Sequence, residues 1–287
     1  MTMPLLQSID QCIEKALASG DLQPIQFQTQ PVQARDVAFH VCWVPALSLK
    51  DRSTPAGFPG GPRDPDFNPF LPPDPILTVG KLGDYHHAIL NKFPVCERHL
   101  VIPRVEFADQ RSVLQYEDFL ALSFILAEHQ GLGFYNGGPE AGASQRHLHL
   151  QWLPDDPANA SLLPFVQRLD QDLQQQPQQQ RDWDFNHVFI YVPPSDEAQE
   201  YARELYQAYQ LACKKLQLIP DENGLMPPMN MLIQNGWLLL VPRKQEHCDE
   251  IALNALSFAG MIYVRELEHI DLVKEKGVMQ ILAAVTE

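Results

Sequence analysis

Between Arg146 and Trp152 polar and apolar side chains alternate without a break, a period of two that points to one regular structure, an extended strand with unlike faces. His147, His149 and Gln151 stand on one face of such a strand, and Leu148, Leu150 and Trp152 on the other. The leucine face needs an apolar layer behind it. The opposite face is then a row of imidazole, imidazole and amide.

The rest of the chain supplies both helices and strands. Leu5, Ile9, Cys12, Ile13, Ala16 and Leu17 recur at helical spacing, and Gly20 can end that segment. Residues 37–44 read as a strand. Residues 52–75 carry eight prolines, which exclude a helix or a central strand, while Phe67 and Phe70 favour an ordered loop. Strands are expected near 88–93 and 100–103, then a helix marked by Leu114, Phe119, Leu122, Ile125 and Leu126. Residues 174–180 are glutamine except for Pro177, and read as a linker or an exposed helix end. Beyond them a strand over 183–192 precedes an amphipathic helix from near Ser195, which Pro220 stops. The chain thus divides into an N-terminal half at 1–172, a linker at 173–182 and a C-terminal half at 183–287.

An offset of 139 residues lays Leu90-Asn91 over Met229-Asn230, and Leu100-Val101-Ile102-Pro103-Arg104 over Leu239-Leu240-Val241-Pro242-Arg243. Phe119 falls on Phe258. Read as a duplication, the offset predicts two pseudo-symmetric halves. It also carries His147 onto Thr286, so the second copy is expected to support the first without a catalytic strand of its own. Arg104 and Arg243, related by the offset, are expected to serve local structure.

With 36 acidic residues against 21 basic, the formal charge is -15, which argues against binding a nucleic-acid backbone. An anionic substrate must be held by a few placed cations, backbone amides or a metal. Five scattered cysteines form no CxxC pair and suggest free thiols, and no apolar run approaches a membrane span. These features imply a cytoplasmic protein with no membrane partner.

The segment before the strand, Gly142-Ala143-Ser144-Gln145, has small residues whose amides can approach an anion, and two side-chain donors. Phosphate beside paired imidazoles suggests attack at phosphorus. Neutral imidazole is a competent nucleophile when a carbonyl accepts from one ring nitrogen and leaves the other free. For an HxH pair alone, a half-exposed strand with two surface histidines is at least an equal reading, and a metal-binding pair comes next. His86, His87, His99 and His129 lack a partner pattern and read as surface or core polar residues. Trp152 and Trp237 read as core.

Gly-x-Ser-Gln followed by His-x-His-x-Gln resembles the signature of the ATP adenylyltransferases, or diadenosine tetraphosphate (Ap4A) phosphorylases, of the histidine-triad superfamily. Matching segments include Phe67-Asn68-Pro69-Phe70-Leu71-Pro72-Pro73, Leu90-Asn91-Lys92-Phe93, Phe134-Tyr135-Asn136 and Asn230-Met231-Leu232. The resemblance implies an α+β fold, an antiparallel sheet with flanking helices in two pseudo-symmetric halves. It implies His149 as the nucleophile that becomes adenylylated, with His147 and Gln151 beside it. It places Lys50, Asn91, Lys92, Asn136, Gly142, Ala143, Ser144, Gln145 and Gln151 around the nucleotide, with Asn230, Met231 and Leu232 supplied by the second half. Dinucleoside polyphosphates, ATP, ADP and phosphate are the implied partners, to a monomer or homodimer. A divalent cation such as Mg²⁺ is expected without a tightly bound protein metal site. A histidine-triad hydrolase is the first alternative, but such enzymes carry a third histidine where Gln151 stands. A uridylyltransferase would read His-Pro-His at Leu148, and a non-catalytic nucleotide sensor would not need the full motif.

Overall fold

The computed structural model describes residues 4–45 and 67–286. Lys50 and much of the proline-rich segment therefore lie outside the described residues. Helix α1 (Leu5–Ser19) precedes the hairpin β1 (Gln28–Ala34) and β2 (Val37–Trp43); Gly20 ends the helix in the left-handed region at φ 81°. β3 (Thr78–Leu82), β4 (His86–Leu90) and β5 (Leu100–Pro103) lead into α2 (Tyr116–His129), β6 (Leu132–Gly137) and β7 (His149–Leu153). The remainder comprises β8 (Val188–Tyr191), α3 (Ala198–Lys215), β9 (Met229–Gln234), β10 (Trp237–Pro242), β11 (His247–Cys248) and β12 (Ile251–Ala252). A 3-10 turn (Ala255–Ala259), β13 (Met261–Val264), α4 (His269–Lys276) and α5 (Val278–Ala284) complete it.

Eight strands form one antiparallel sheet in the order β3-β4-β5-β7-β6-β9-β10-β8. Its pleat sends alternate side chains into two cores. Leu148, Leu150 and Trp152 of the alternating segment join Tyr135, Met231 and Leu238 against residues of α1, α2 and α3, among them Ile9, Phe119 and Leu205. Phe134, Leu232 and Leu239 point the other way, against Phe39, Phe258, Ile262 and Ile281. That second layer contains a small sheet in which β13 pairs in parallel with β2, so a C-terminal strand extends the N-terminal hairpin. Among the described residues no helix is long and apolar enough to cross a membrane.

The sheet contains two like units, β5-α2-β6-β7 and β8-α3-β9-β10, each with its third strand inserted between the first two. They meet at β6 and β9, where Asn136 opposes Asn230. Two related halves are present, but the 139-residue offset does not relate them. The offset pairs β5 with β10, whereas the structural counterpart of β5 is β8. The shared Pro-Arg marks a strand end in both places, since proline cannot continue a ladder. The continuations differ: α2 comes after β5, and short strands with a 3-10 turn come after β10. The glutamine-rich segment runs beside β8, with bridges from Gln174 to Tyr191 and from Gln178 to Phe189. Its side chains hydrogen-bond to Phe165, Asp170, His187 and Glu204.

Candidate active site

β7 carries the imidazole row. The regular strand starts at His149, and His147 precedes it in an isolated bridge to Asp109. Both rings are enclosed, at 1% exposure for His147 and 5% for His149, so the polar face of this strand opens into the protein's own walls and not to bulk water. His149 Nδ1 lies 2.8 Å from the main-chain oxygen of His147. A carbonyl can only accept, so Nδ1 carries the proton and the Nε2 lone pair is left for chemistry. Burial pushes this imidazole down to about 4, opposed by the His147 carbonyl, so the ring is neutral near pH 7.

His147 has the complementary tautomer. Asn68 donates its amide to Nδ1 at 3.0 Å, and the Asn68 oxygen accepts from the Phe70 amide, which orients it. Burial lowers the His147 pKa, with the carbonyls of Arg104 and Glu106 acting in the other direction. Phe70 packs its ring 5.2 Å from that of His149 and 5.8 Å from that of His147; Phe107 covers His147 from another side at 5.5 Å. The Phe67-Asn68-Pro69-Phe70 segment thus places an amide and a ring directly on the histidines.

Gln110, which no sequence pattern marks, is 2% exposed and clamps the strand. Its oxygen accepts from the His149 amide at 2.9 Å, and its nitrogen donates to the carbonyls of Asn136 and His149 at 2.7 and 3.2 Å. Tyr135 in turn donates its hydroxyl to the Gln110 carbonyl. The signal available in sequence was only a lone glutamine between two elements.

In the loop before β7, Gly142 has φ +88°, and a Cβ there would sit 2.7 Å from Asn254 Cβ and 2.9 Å from Leu253 O, so only glycine fits. The amides of Gly142 and Ala143 are spent inside the loop, on the carbonyls of Pro139 and Gly138. Among the described residues those of Ser144 and Gln145 have no such partner, so these are the two amides of the loop left to meet a ligand. Asn136 and Asn230 tie the loop to the sheet. Asn230 Nδ2 donates to Asn136 Oδ1 and to Ala141 O, both at 2.9 Å, while Arg243 donates to Asn230 Oδ1 at 2.5 Å. Asn136 Oδ1 also accepts from Ala255 N. Asn230 is engaged at both ends of its side chain and Asn136 through its oxygen, and Met231 and Leu232 are wholly buried in the two cores. Arg243 also reaches the carbonyls of Val285 and Leu253, a local structural role.

On the third position of the row, Gln151 Oε1 lies 2.8 Å from His99 Nε2. His99 is 4% exposed, a core histidine whose partner is a site residue, and burial takes it down to about 4 against the opposing Gln151 contact. Asn91, next to it, is half-buried, as is Lys92, whose ammonium forms no ion pair among the described residues.

Two family descriptions match the chain: the Ap4A phosphorylase N-terminal domain over residues 2–171, and the ATP adenylyltransferase C-terminal domain over 181–286. Diadenosine 5',5'''-P1,P4-tetraphosphate phosphorylase 2 of Saccharomyces cerevisiae is 28% identical over 270 residues, covering 83% of this chain and 79% of the relative. The crystal structure of yeast Ap4A phosphorylase Apa2 superposes with TM-score 0.81 at 24% identity, covering 100% of this chain and 95% of that one. The same protein in complex with Ap4A gives 0.80 at 22% identity, over 100% and 98%.

Proposed function

The chain belongs to the Ap4A phosphorylase family, and we propose that it splits diadenosine tetraphosphate with inorganic phosphate into ATP and ADP, reversibly, by way of an adenylyl group held on His149. The observation that carries this reading is the His149 tautomer: Nδ1 donates to the His147 carbonyl, so a neutral ring offers Nε2. Nε2 attacks the α-phosphorus and ATP departs. A phosphate oxygen then bonds to the same phosphorus as the P–N bond breaks, and that electron pair returns to Nε2. As positive charge builds on the imidazole during attack, the His147 carbonyl holds the Nδ1 proton. Lys92 and the amides of Ser144 and Gln145 are the candidate partners for the charge on the non-bridging oxygens.

Mg²⁺ enters this proposal as a counter-ion of the polyphosphate. Among the described residues no group of three or more His, Cys, Asp or Glu is placed to hold a metal ion.

The depressed His149 pKa fixes a pH dependence. The nucleophile is neutral, and active, above its folded pKa and is lost as pH falls through it. Single-turnover adenylylation without phosphate is therefore expected to stay level from pH 8 to below pH 6 and to fall only as pH nears about 4. An inflection at or above the ordinary imidazole value of 6.5 would contradict a buried neutral nucleophile.

The acceptor is the feature that separates a phosphorylase from a hydrolase. Water stands at about 55 M, so preferring millimolar phosphate requires selectivity on the order of 10⁴-fold, about 5–6 kcal/mol. A neutral amide at 151 can donate to phosphate oxygens but cannot take a proton from water, whereas an imidazole can. With Ap4A and limiting phosphate, wild type is expected to give mainly ADP beside ATP, and Gln151→His to raise AMP relative to ADP. The test is the AMP to ADP ratio across a phosphate titration. Mostly AMP from wild type at saturating phosphate would make the hydrolase reading the better one.

A further inference from the structure

The contact between Gln151 and His99, against which Asn91 packs, decides which end of Gln151 faces the reaction. The amide N–H of Phe93 donates to Asn91 Oδ1 at 3.1 Å, and this identifies the oxygen end of that side chain. Its nitrogen end, Nδ2, lies 3.3 Å from His99 Nδ1 and 3.4 Å from His99 Nε2. Nε2, however, has the Gln151 oxygen at 2.8 Å, a contact that needs a proton on the ring nitrogen. His99 is thus neutral with its proton on Nε2, and the Asn91 amide lies against the ring, nearly equidistant from its two nitrogens. Burial holds the ring in its neutral form. Gln151 Oε1 is consumed by this contact, and its NH₂ is the end left to meet a solute. Gln151 and His149 are two residues apart on β7, on the same face and about 6.6 Å from each other along the strand.

We propose that Asn91 and His99 are positioning residues which hold Gln151 as a donor-only group beside the phosphorus on His149, and so select phosphate over water in the second half-reaction. The proposal rests on the phosphorylase reading and adds to it the device that enforces the choice. Hydrogen phosphate brings acceptor oxygens for the Gln151 NH₂. Its attack makes the P–O bond of ADP, returns the P–N electron pair to His149, and leaves its own proton on the product phosphate. Water attacking the same phosphorus gives AMP and must lose a proton. A donor-only amide offers that proton no acceptor and gives the water molecule no oxygen to be oriented by. If Gln151 turned over, its oxygen would face the water and its donors would be withdrawn from the phosphate. The sequence pattern could not reveal this, because His99 lies 52 residues from Gln151 and meets it across the β5–β7 pairing.

The test uses His99→Phe, which keeps a ring against Phe134 but removes the donor, and His99→Asn, which keeps an N–H donor. With Ap4A at limiting phosphate, His99→Phe is expected to raise the AMP to ADP ratio roughly tenfold, from the loss of one hydrogen bond to a charged group. Adenylylation without phosphate should change less, and His99→Asn should recover part of the ratio. Equal losses in both half-reactions with an unchanged ratio would overturn the relay and leave the phosphorylase reading standing. Failure of wild type to make ADP would sink that reading itself. If His99→Phe does not fold, ¹⁵N NMR of histidine-labelled wild type decides: a proton on Nε2 of His99 supports the relay, and a proton on Nδ1 overturns it.

Discussion

Replacing His149 with alanine is expected to reduce turnover of Ap4A by on the order of 10⁴- to 10⁶-fold, the range seen when a covalent nucleophile is deleted. Nucleotide affinity should stay within about tenfold, because the missing bond forms only during reaction. The fold should tolerate the change. The His149 ring packs against Phe70 and bonds to the His147 carbonyl, while the strand itself is held by its backbone, through Gln110 and through pairing with β5 and β6. Steady-state kinetics with a binding titration on the same preparation checks both halves. More than a tenth of wild-type kcat remaining would remove His149 from the nucleophile's role.

The second large effect concerns stability. Asp118, with no exposed side-chain surface, accepts from His86 Nε2 at 2.9 Å, from Arg104 Nε and Nη2 at 2.9 and 2.5 Å, and from the Gln115 amide at 2.6 Å. Burial alone would raise its pKa, but the His86 and Arg104 contacts outweigh it and leave the carboxylate ionised below its usual range. The group joins β4, the end of β5 and the first turn of α2. Arg104 N also donates to Leu148 O, next to His149. Asp118→Ala strands a largely buried guanidinium and a buried imidazole, a change that costs about 3–5 kcal/mol. In a chain of this size that corresponds to a Tm lower by roughly 10 °C. Thermal denaturation of the two proteins measures it, and a loss under about 1 kcal/mol would mean that water replaces the carboxylate and that the cluster is not closed.

The alternation over 147–152 disclosed the strand that carries the imidazole row because period two survives any tertiary context that buries one face. Burial of the second face was hidden, since the walls come from Phe70 and Phe107, far away in sequence. Proline density excluded regular structure, and the aromatics within it marked the part that packs on the histidines. The duplication was legible only as a tendency. Leu100-Val101-Ile102-Pro103-Arg104 and its later echo share a strand-ending chemistry, so the offset followed a local solution, while the true relation of β5 to β8 left only the isolated match of Ile102 with Ile190. Gln110 and His99 were invisible because each acts through one long-range hydrogen bond system, and a single polar residue in an apolar neighbourhood has no periodicity to read. The amides of Gly142 and Ala143 could be assigned to an anion from composition, but only the fold reveals that Pro139 and Gly138 already occupy them. The glutamine-rich stretch lacks apolar residues to bury, yet its amides satisfy the outer edge of β8.

The proposed chemistry stands on a covalent adenylyl group at one named nitrogen. Wild type and His149→Ala, incubated with Ap4A labelled in its α-phosphates and no inorganic phosphate, are denatured in alkali and digested. Alkali-stable, acid-labile label is expected in wild type, confined to the peptide that carries His149, chased into ADP when phosphate is added before denaturation, and absent from the mutant. Label on another residue, label that phosphate does not chase, or phosphorolysis that proceeds at full rate with no label at all would contradict it.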